Sequence, residues 1–248
     1  MHLLVGLYRE PEPARAAELR ECLARNVAHD AIARVHVFVE DSDAAGRVES
    51  LRSDAVLGSA KVTLVPHGRR VTFADLFDYA ARVLPGEDVA VVNADIYFDG
   101  TLRRMEGMDL AGRMLALSRW DIESDGGLRL FAAPYSQDAW IFRAPMPAGM
   151  NASWPLGVPG CDSRLAAEAE RVGLTVTNPA YDVRAVHLHR SAVRRYTSRD
   201  RLGGDHRYVP LGFLGDPPAP LTSPFPDFPW GKAAAALGLV ALWRVLRA

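Results

Sequence analysis

Apolar runs alternate with helical repeats along the first hundred residues. The runs typical of strands lie at 3–8, 34–41, 61–66 and 89–99. Residues 14–29 are predicted to form a helix, since Ala17, Leu19, Leu23 and Val27 have helical spacing, and 71–86 a second one that ends at Pro85-Gly86. The residues between 42 and 60 are interpreted as a loop. This order predicts an α/β fold with an open, twisted, mostly parallel sheet flanked by helices, and with ligands at the carboxyl ends of its strands.

The second half of the chain shows shorter patterns. Strands are predicted over 113–120, 137–144, 174–178 and 185–189, and a helix over 161–173. The polar segment 121–136 is interpreted as a loop. Residues 209–230 hold seven prolines and are predicted to be extended, because proline cannot donate a backbone hydrogen bond. We therefore expect one domain over 1–208, a Pro-rich segment over 209–230 and a C-terminal helix over 231–248.

The fourth apolar run changes to polar residues at Asn93, Asp95 and Asp99. On a strand, Asn93 and Asp95 would project from the same face. A buried carboxylate costs free energy unless a partner compensates for it, and a divalent cation is one such partner. Asp95 is therefore a candidate metal ligand, and Asn93 offers an amide to a sugar hydroxyl. Capping of a helix at GTLRRME is the interpretation we favour for Asp99 and the alternative for Asp95.

Two later acids are candidates for proton transfer. Asp138 stands where a polar segment enters an apolar strand, and it could act as a general base or satisfy a turn. Asp162 begins a predicted helix, so an N-cap is its default role. Gly157 and Gly160 before it permit close approach of the backbone to a ligand.

Histidine, arginine and aromatic residues complete the candidates. His187 and His189 alternate on a predicted strand and could ligate a metal, or each could be an ordinary hydrogen-bonded residue. The arginines crowded into 190–201 suit either a phosphate ligand or a solvated helix face. Arg119 and Trp120 could stack on a ligand or form part of an interface.

Composition and charge narrow the partners and the location. The formal net charge of -1 gives no basis for a nucleic-acid partner. The two cysteines form no disulfide framework, and the first residues lack the basic region of a signal peptide, so we expect a cytoplasmic protein. The apolar run near the C-terminus is shorter than the roughly 20 residues that span a bilayer. We expect it to dock on the domain, with peripheral membrane contact as the alternative.

Nine segments of this chain carry a resemblance to a known family: ELRECLARN, HVFVED, RRVTFADLF, NADIYFDGTL, ALSRWD, SQDAWIF, GVPGCDSRLA, NPA and HLHRSAVRRY. In these segments the chain resembles a group of small bacterial and viral glycosyltransferase-like proteins of the GT-A class. The resemblance covers about residues 1 to 200. It implies a GT-A-like, Rossmann-related fold for 1–208 and transfer of a sugar from a nucleoside-diphosphate sugar to an acceptor hydroxyl. It also implies Mn²⁺ or Mg²⁺ as the metal. The acceptor would be a glycan, a cell-surface polysaccharide precursor or a small molecule.

The resemblance also assigns residues. Asn93-Ala94-Asp95 is the counterpart of the Asp-X-Asp motif, with an amide in place of the first acid, which could weaken metal binding. Asp95 would bind the metal and Asn93 the ribose side of the donor. Asp138 would be the general base, with Asp162 as its competitor, and His189 would complete the metal site, with His187 second. Arg70 would lie near the base or the diphosphate, and Arg194 would bind the donor. Arg119, Trp120, Gly160 and Tyr196 are further candidates.

Two other functions are alternatives to this one. A nucleotidyltransferase would carry a glycine-rich basic loop after the first strand, whereas YREPEPARAAE has no glycine and is acidic. A non-catalytic nucleotide-sugar or glycan-binding module stays open because Asn93 replaces an acid. Retention or inversion at the sugar carbon also stays open.

Overall fold

The computed structural model describes residues 1–191 and 200–223 of the chain. The strands are β1 His2–Leu7, β2 Arg34–Val39, β3 Val62–Pro66, β4 Asp88–Val92, β5 Ile96–Phe98, β6 Arg113–Leu117, β7 Arg119–Ile122, β8 Leu128–Leu130, β9 Ala139–Arg143, β10 Thr175–Thr177 and β11 Ala185–His187. The α-helices are α1 Pro13–Ala28, α2 Ala44–Leu51, α3 Phe73–Val83 and α4 Cys161–Arg171, and a 3₁₀ helix covers Gly100–Met105.

Seven strands form the main sheet, in the order β10-β6-β9-β4-β1-β2-β3. All neighbours pair in parallel except those of β9, which runs antiparallel to both β4 and β6. The prediction of a mostly parallel α/β sheet is therefore confirmed. β9 brings its first residues to the edge where β4 and β6 end, because it runs against them.

Helices cover both faces of this sheet. On β4, Ala90 and Val92 join the apolar cluster that includes residues of α1 and α2, whereas Val89 and Val91 join the cluster of α3 and α4. This explains the apolar run without alternation, since both faces of the strand are buried. The capping box of Thr72 and Asp75 fixes the start of α3 close to the carboxyl end of β3.

A second sheet of four strands, in the order β5-β11-β7-β8, lies beyond the carboxyl edge of the first. It corrects the prediction of one long strand over 89–99, because the chain turns after β4 and re-enters a different sheet as β5. The backbone N–H of Ile96 donates to the carbonyl of Asn93 over 3.1 Å and closes this turn. Asn93 and Asp95 therefore lie in a turn and not on one strand face.

Three other predictions need correction. The predicted strand 113–120 is divided between β6 and β7, which belong to different sheets. The predicted loop 121–136 contains a hairpin in which Gly126 adopts a positive φ and connects β7 to β8. The predicted loop between 42 and 60 contains α2, which Asp43 caps by accepting from the N–H of Gly46.

The end of the described chain is irregular. Residues 209–223 contain no helix or strand, as their prolines predict. No helix among the residues that the structure describes is long and apolar enough to cross a membrane. The predicted C-terminal helix 231–248, Arg194 and Tyr196 lie outside the described residues.

Candidate functional site

The gap between the two sheets brings Asp95, His187 and His189 together. Asp95 comes from the turn between β4 and β5, His187 ends β11, and His189 follows two residues later. One ligand atom from each lies within 4.8 Å of the other two. This is the group of acidic, histidine and cysteine side chains in residues 1–191 and 200–223 with a geometry suited to a metal ion.

Arg15 of α1 is the closest cationic partner of this cluster. Its guanidinium donates to Oδ2 of Asp95, to Oε2 of Glu18 over 2.9 Å and to the carbonyl of Leu188 over 3.1 Å. The side chain is only 7% exposed. Glu18 in turn accepts from the backbone of Arg190 and Ser191. α1 thereby holds both Asp95 and the segment that carries His189.

A second row of charges continues from His187. Its Nε2 lies 3.2 Å from Oδ2 of Asp95, and its Nδ1 donates to Oδ1 of Asp121 over 2.8 Å. Asp121 also accepts from Nε of Arg119 over 2.9 Å, and Arg119 donates to Oδ2 of Asp138 over 3.2 Å. Opposite charges therefore alternate from Arg15 to Asp138, which limits the cost of burying them.

The pKa values follow from these contacts. Burial alone would raise the pKa of Asp95, but the hydrogen bond and charge of His187 together with Arg15 lower it well below its ordinary value. Burial opposes protonation of His187, yet its hydrogen bonds to Asp121 and Asp95 raise its pKa to about 9. Burial and the neighbouring charges of Arg15 and His187 lower the pKa of His189. At neutral pH, Asp95 is ionised, His187 is protonated and His189 offers a free lone pair.

The two candidate bases lie next to each other but have different partners. Asp138 is nearly buried, and its two oxygens accept from Nδ2 of Asn93 over 2.7 Å and from Arg119. Asp162 accepts from the backbone N–H groups of Gln137 over 3.2 Å and of Ser163 over 2.9 Å. Burial raises the pKa of Asp162 to about 7. The prediction that Asp162 is the N-cap residue of its helix is wrong. Gly160 is the N-cap residue of α4, and Asp162 is the second residue of that helix.

The other predicted residues lie around this centre. Arg70 donates to the carbonyl of Leu156 over 2.7 Å and is exposed. Gly160 has a φ of 82°, and a Cβ there would lie 3.1 Å from His206, so its close approach is to the protein itself. Nε1 of Trp120 donates to the carbonyl of Ala180 over 2.8 Å. Asp99 caps the 3₁₀ helix as expected, since it accepts from the N–H of Thr101.

Sequence reasoning missed Arg15, Glu18 and Asp121. Arg15 and Glu18 are three residues apart on α1, a spacing typical of an ordinary helical ion pair. Asp121 lay in a segment interpreted as a loop. Asp121 lies on β7 opposite His187 of β11, where an acid is a common partner of a ligating histidine, but this strand pairing is not visible in the sequence.

A cavity of about 210 Å³ is lined by residues of β1, β2, α1 and α2 and by Ala94, the residue before Asp95. Its walls include Leu7, Leu19, Leu23 and Leu51, and Ala94 forms the side towards the cluster. Arg9, Arg20 and Arg47 line it as well. It is smaller than the roughly 300–1,000 Å³ that encloses a drug-sized ligand, so it would hold one end of a larger molecule.

The cluster fits a divalent cation. One carboxylate oxygen and two imidazole nitrogens form a mixed donor set, which suits Mn²⁺ or Zn²⁺ better than Mg²⁺ because Mg²⁺ prefers oxygen ligands. Asp121 holds Nδ1 of His187 and so directs Nε2 towards Asp95. A cation would have to displace the proton on Nε2 and share Asp95 with Arg15.

Comparison with known proteins gives a fold. No family model and no curated protein matches this chain. The mannosyltransferase PcManGT from Pyrobaculum calidifontis, solved in complex with GDP-Man and Mn²⁺, is similar in structure with a TM-score of 0.52 and 18% identity. The match covers 75% of this chain and 56% of that one, so the chain spans little more than half of this mannosyltransferase. The chain has a GT-A-like glycosyltransferase fold.

Two further solved structures are less similar. HddC from Yersinia pseudotuberculosis has a TM-score of 0.36 and 12% identity, with 57% of this chain and 76% of that chain covered. A protein from Desulfovibrio desulfuricans G20, described as a nucleotide-diphospho-sugar transferase, has a TM-score of 0.45 and 16% identity, with 71% and 78% covered. Neither carries an argument here.

Proposed function

We propose that this chain transfers a sugar from a nucleoside-diphosphate sugar to an acceptor hydroxyl. The observation that carries the proposal is the position of the Asp95, His187 and His189 cluster directly beside the cavity lined by Ala94. A nucleoside in the cavity would bring its diphosphate to the cluster, because Ala94 and Asp95 are consecutive. The similar mannosyltransferase was solved with GDP-Man and Mn²⁺, which supports a ligand of this class.

On the donor side, Asp95, His187 and His189 would hold a divalent cation, preferably Mn²⁺. A cation bound there supplies positive charge to the leaving diphosphate. Asp121 keeps His187 in the orientation that a ligand needs, and Arg15 keeps Asp95 ionised and fixed. Asn93 binds Asp138 through its amide, so in this arrangement it links the donor side to the acids and is not itself a metal ligand.

On the acceptor side, an acid would remove the proton of the attacking hydroxyl if the reaction inverts the sugar carbon. Asp138 is the base predicted from the sequence. Both oxygens of its carboxylate are already engaged, one by Asn93 and the other by Arg119. The carboxylate of Asp162 faces backbone N–H groups and has a pKa of about 7, close to the value that suits general-base catalysis. We therefore favour Asp162 as the proton acceptor and Asp138 as its structural neighbour.

One observation supports the alternative of a non-catalytic nucleotide-sugar-binding module. Arg15 already neutralises Asp95, and Asn93 stands where an acid would add a second carboxylate, so the site could bind a nucleotide sugar without a cation and without turnover. Release of nucleoside diphosphate from a donor separates the two functions, because a binding module leaves the donor intact.

The test uses the purified full chain with a panel of UDP- and GDP-sugars, with Mn²⁺ or with a chelator. We expect Mn²⁺-dependent thermal stabilisation by one donor, since a ligand that binds only the folded state raises its melting temperature, and slow donor hydrolysis. Asp95→Asn should abolish both effects. Asp88→Asn is the matched control, because Asp88 lies at the opposite end of β4 in an ion pair with Arg143.

Two results would contradict the proposal. One is the absence of stabilisation by every donor in the panel, and the other is equal donor hydrolysis in Asp95→Asn and the wild type. We further propose that the reaction takes place in the cytoplasm and belongs to polysaccharide biosynthesis.

A further inference from the structure

Tyr135 and Tyr208 form an aromatic pair beside the two candidate bases. Their ring centroids are 5.6 Å apart and their planes are tilted by 57°. Tyr135 is 46% exposed, whereas Tyr208 is half-buried and supports it from below. Large aromatic side chains with this much exposure are few among the described residues, and such a ring offers a face on which a ligand can stack.

The pair is attached to the strand that follows Asp138. The carbonyl of Pro134 accepts from the N–H of Val209 over 2.7 Å and from Nε2 of Gln137 over 2.9 Å. Tyr135 follows Pro134 and Tyr208 precedes Val209, so the hydrogen bond between Val209 and Pro134 keeps the two tyrosines close together. Tyr135 precedes Asp138 by three residues, so their Cα atoms are at most about 11 Å apart. A molecule on the Tyr135 ring would lie within reach of the acids.

The turn over residues 133–136, which carries Tyr135, is held by further hydrogen bonds. Oγ of Ser118 donates to the carbonyls of Ser136 over 2.8 Å and of Ala133 over 3.3 Å. Ser118 and Gln137 are both buried, at 0% and 2% exposure. The backbone on either side of Tyr135 is therefore held in place, and a preorganised backbone favours affinity.

Beneath the turn, Gln137 keeps a hydrogen-bond acceptor unused. Its Oε1 is buried and accepts no hydrogen bond from any residue in the described part of the chain. A buried acceptor without a partner costs free energy. It lies on the same amide whose nitrogen donates to the carbonyl of Pro134, next to Tyr135.

These features match one class of ligand. A pyranose ring presents an apolar face of C–H groups to the electron-rich face of an aromatic ring and hydroxyl groups around its edge. Resting on the proposed function, we infer that Tyr135, supported by Tyr208, binds a sugar ring of a saccharide acceptor and holds it against Asp138 and Asp162.

The experiment measures saccharide binding without donor and without metal. Saturation-transfer difference NMR is recorded on the full chain with methyl α-D-mannopyranoside, methyl α-D-glucopyranoside and methyl β-D-galactopyranoside, and with glycerol as a polyol that has no ring face. We expect transfer to ring protons of at least one pyranoside and none to glycerol. Tyr135→Ala and Tyr135→Leu should bind roughly 5- to 10-fold more weakly, and Tyr135→Phe should bind normally.

Tyr181→Ala is the matched control. Tyr181 is 45% exposed and stacks on Phe213, with centroids 5.0 Å apart, so it resembles Tyr135 in exposure and in pairing. The inference is overturned if no pyranoside binds, if Tyr135→Leu binds as the wild type does, or if Tyr181→Ala weakens binding equally. It is also overturned if sedimentation shows that Tyr135→Ala changes self-association while saccharide binding stays the same.

Different results would contradict the saccharide-acceptor inference and the proposed transferase function. Saccharide binding that depends on Tyr135, together with no donor binding, would remove the transferase and leave a glycan-binding site. Mn²⁺-dependent donor hydrolysis with a Tyr135 variant that changes no saccharide binding would remove only the acceptor inference.

Discussion

Nδ1 of His187 donates to Oδ1 of Asp121 over 2.8 Å, while Nε2 of the same ring lies 3.2 Å from Asp95. The ring therefore lies between two carboxylates, one of which would share a cation with it and the other of which orients it. Removing the orienting charge tests this arrangement without removing a ligand. Asp121→Asn should weaken Mn²⁺ binding by about 10- to 100-fold. Calorimetry with Mn²⁺ gives the affinity, and unchanged binding would rule out a role for Asp121 in the metal site.

Arg15 should be essential for stability. Arg15→Gln leaves Asp95 and Glu18 without their guanidinium, and breaking a buried ion pair in this way costs about 3–5 kcal/mol. Arg25→Gln on the same helix removes an exposed pair with Glu21 and should cost less than about 1 kcal/mol. Urea unfolding measures both free energies. Similar losses in the two variants would contradict the buried-charge argument.

The acids can be separated by kinetics. Asp162→Asn should reduce transfer to an acceptor by about 10²- to 10⁴-fold, the usual contribution of a general base, and leave donor affinity unchanged. Asp138→Asn should reduce transfer less, because that carboxylate is engaged by Arg119 and Asn93. Single-turnover transfer with the saccharide found by NMR gives both rates. A larger loss in Asp138→Asn would restore Asp138 as the base.

Filling the cavity should block the donor. Ala16 lines the cavity, and leucine is well tolerated in a helix, so Ala16→Leu should lower donor affinity by about tenfold or more with little loss of stability. Ala17→Leu is the matched control, because Ala17 is exposed on the same helix. Fluorescence titration with the stabilising donor measures the affinities. Equal binding by both variants would place the nucleoside elsewhere.

Acid should weaken the fold through His36. Burial lowers the pKa of His36 to about 4, and the ring hydrogen-bonds to His2 and to the hydroxyl of Tyr79. The unfolded chain takes up this proton near pH 6.5 but the folded one only near pH 4. The contribution to stability is therefore complete above pH 6.5 and is lost as the pH falls to about 4, by about 3 kcal/mol.

Urea unfolding between pH 7 and pH 4 measures this loss. His36→Gln removes the titrating ring and should flatten the dependence in this range, whereas an unchanged slope would show that other groups cause it.

The sequence was a good guide to the main sheet. Runs apolar at every position, as at 89–92, correspond to a central strand with both faces covered, and the Val35, Val37 and Val39 alternation corresponds to β2. It was a poor guide to the second sheet. Strands of three or four residues such as β5, β8 and β11 are too short to show a period, and their pairing partners are distant in sequence.

The candidate site was predicted in part. Asp95, His187 and His189 were chosen from residue type and position, and the structure brings the three together. Their roles as ligands stay predictions. Arg15 and Asp121 were missed because each reads locally as an ordinary helix or loop residue, and their importance depends on what lies opposite them.

The sequence by itself determined the α/β class and the order of the main elements, because the period of apolar residues records which faces are buried. It also identified Asp95, His187 and His189 as candidates, and the tertiary structure brings these three side chains together. Only the tertiary structure decided that the chain breaks its fourth apolar run at Asn93–Asp95 and that opposite charges alternate from Arg15 to Asp138. These features join residues up to 92 positions apart, and the energy that sets them, the compensation of buried charge, depends on distances that a linear pattern does not contain.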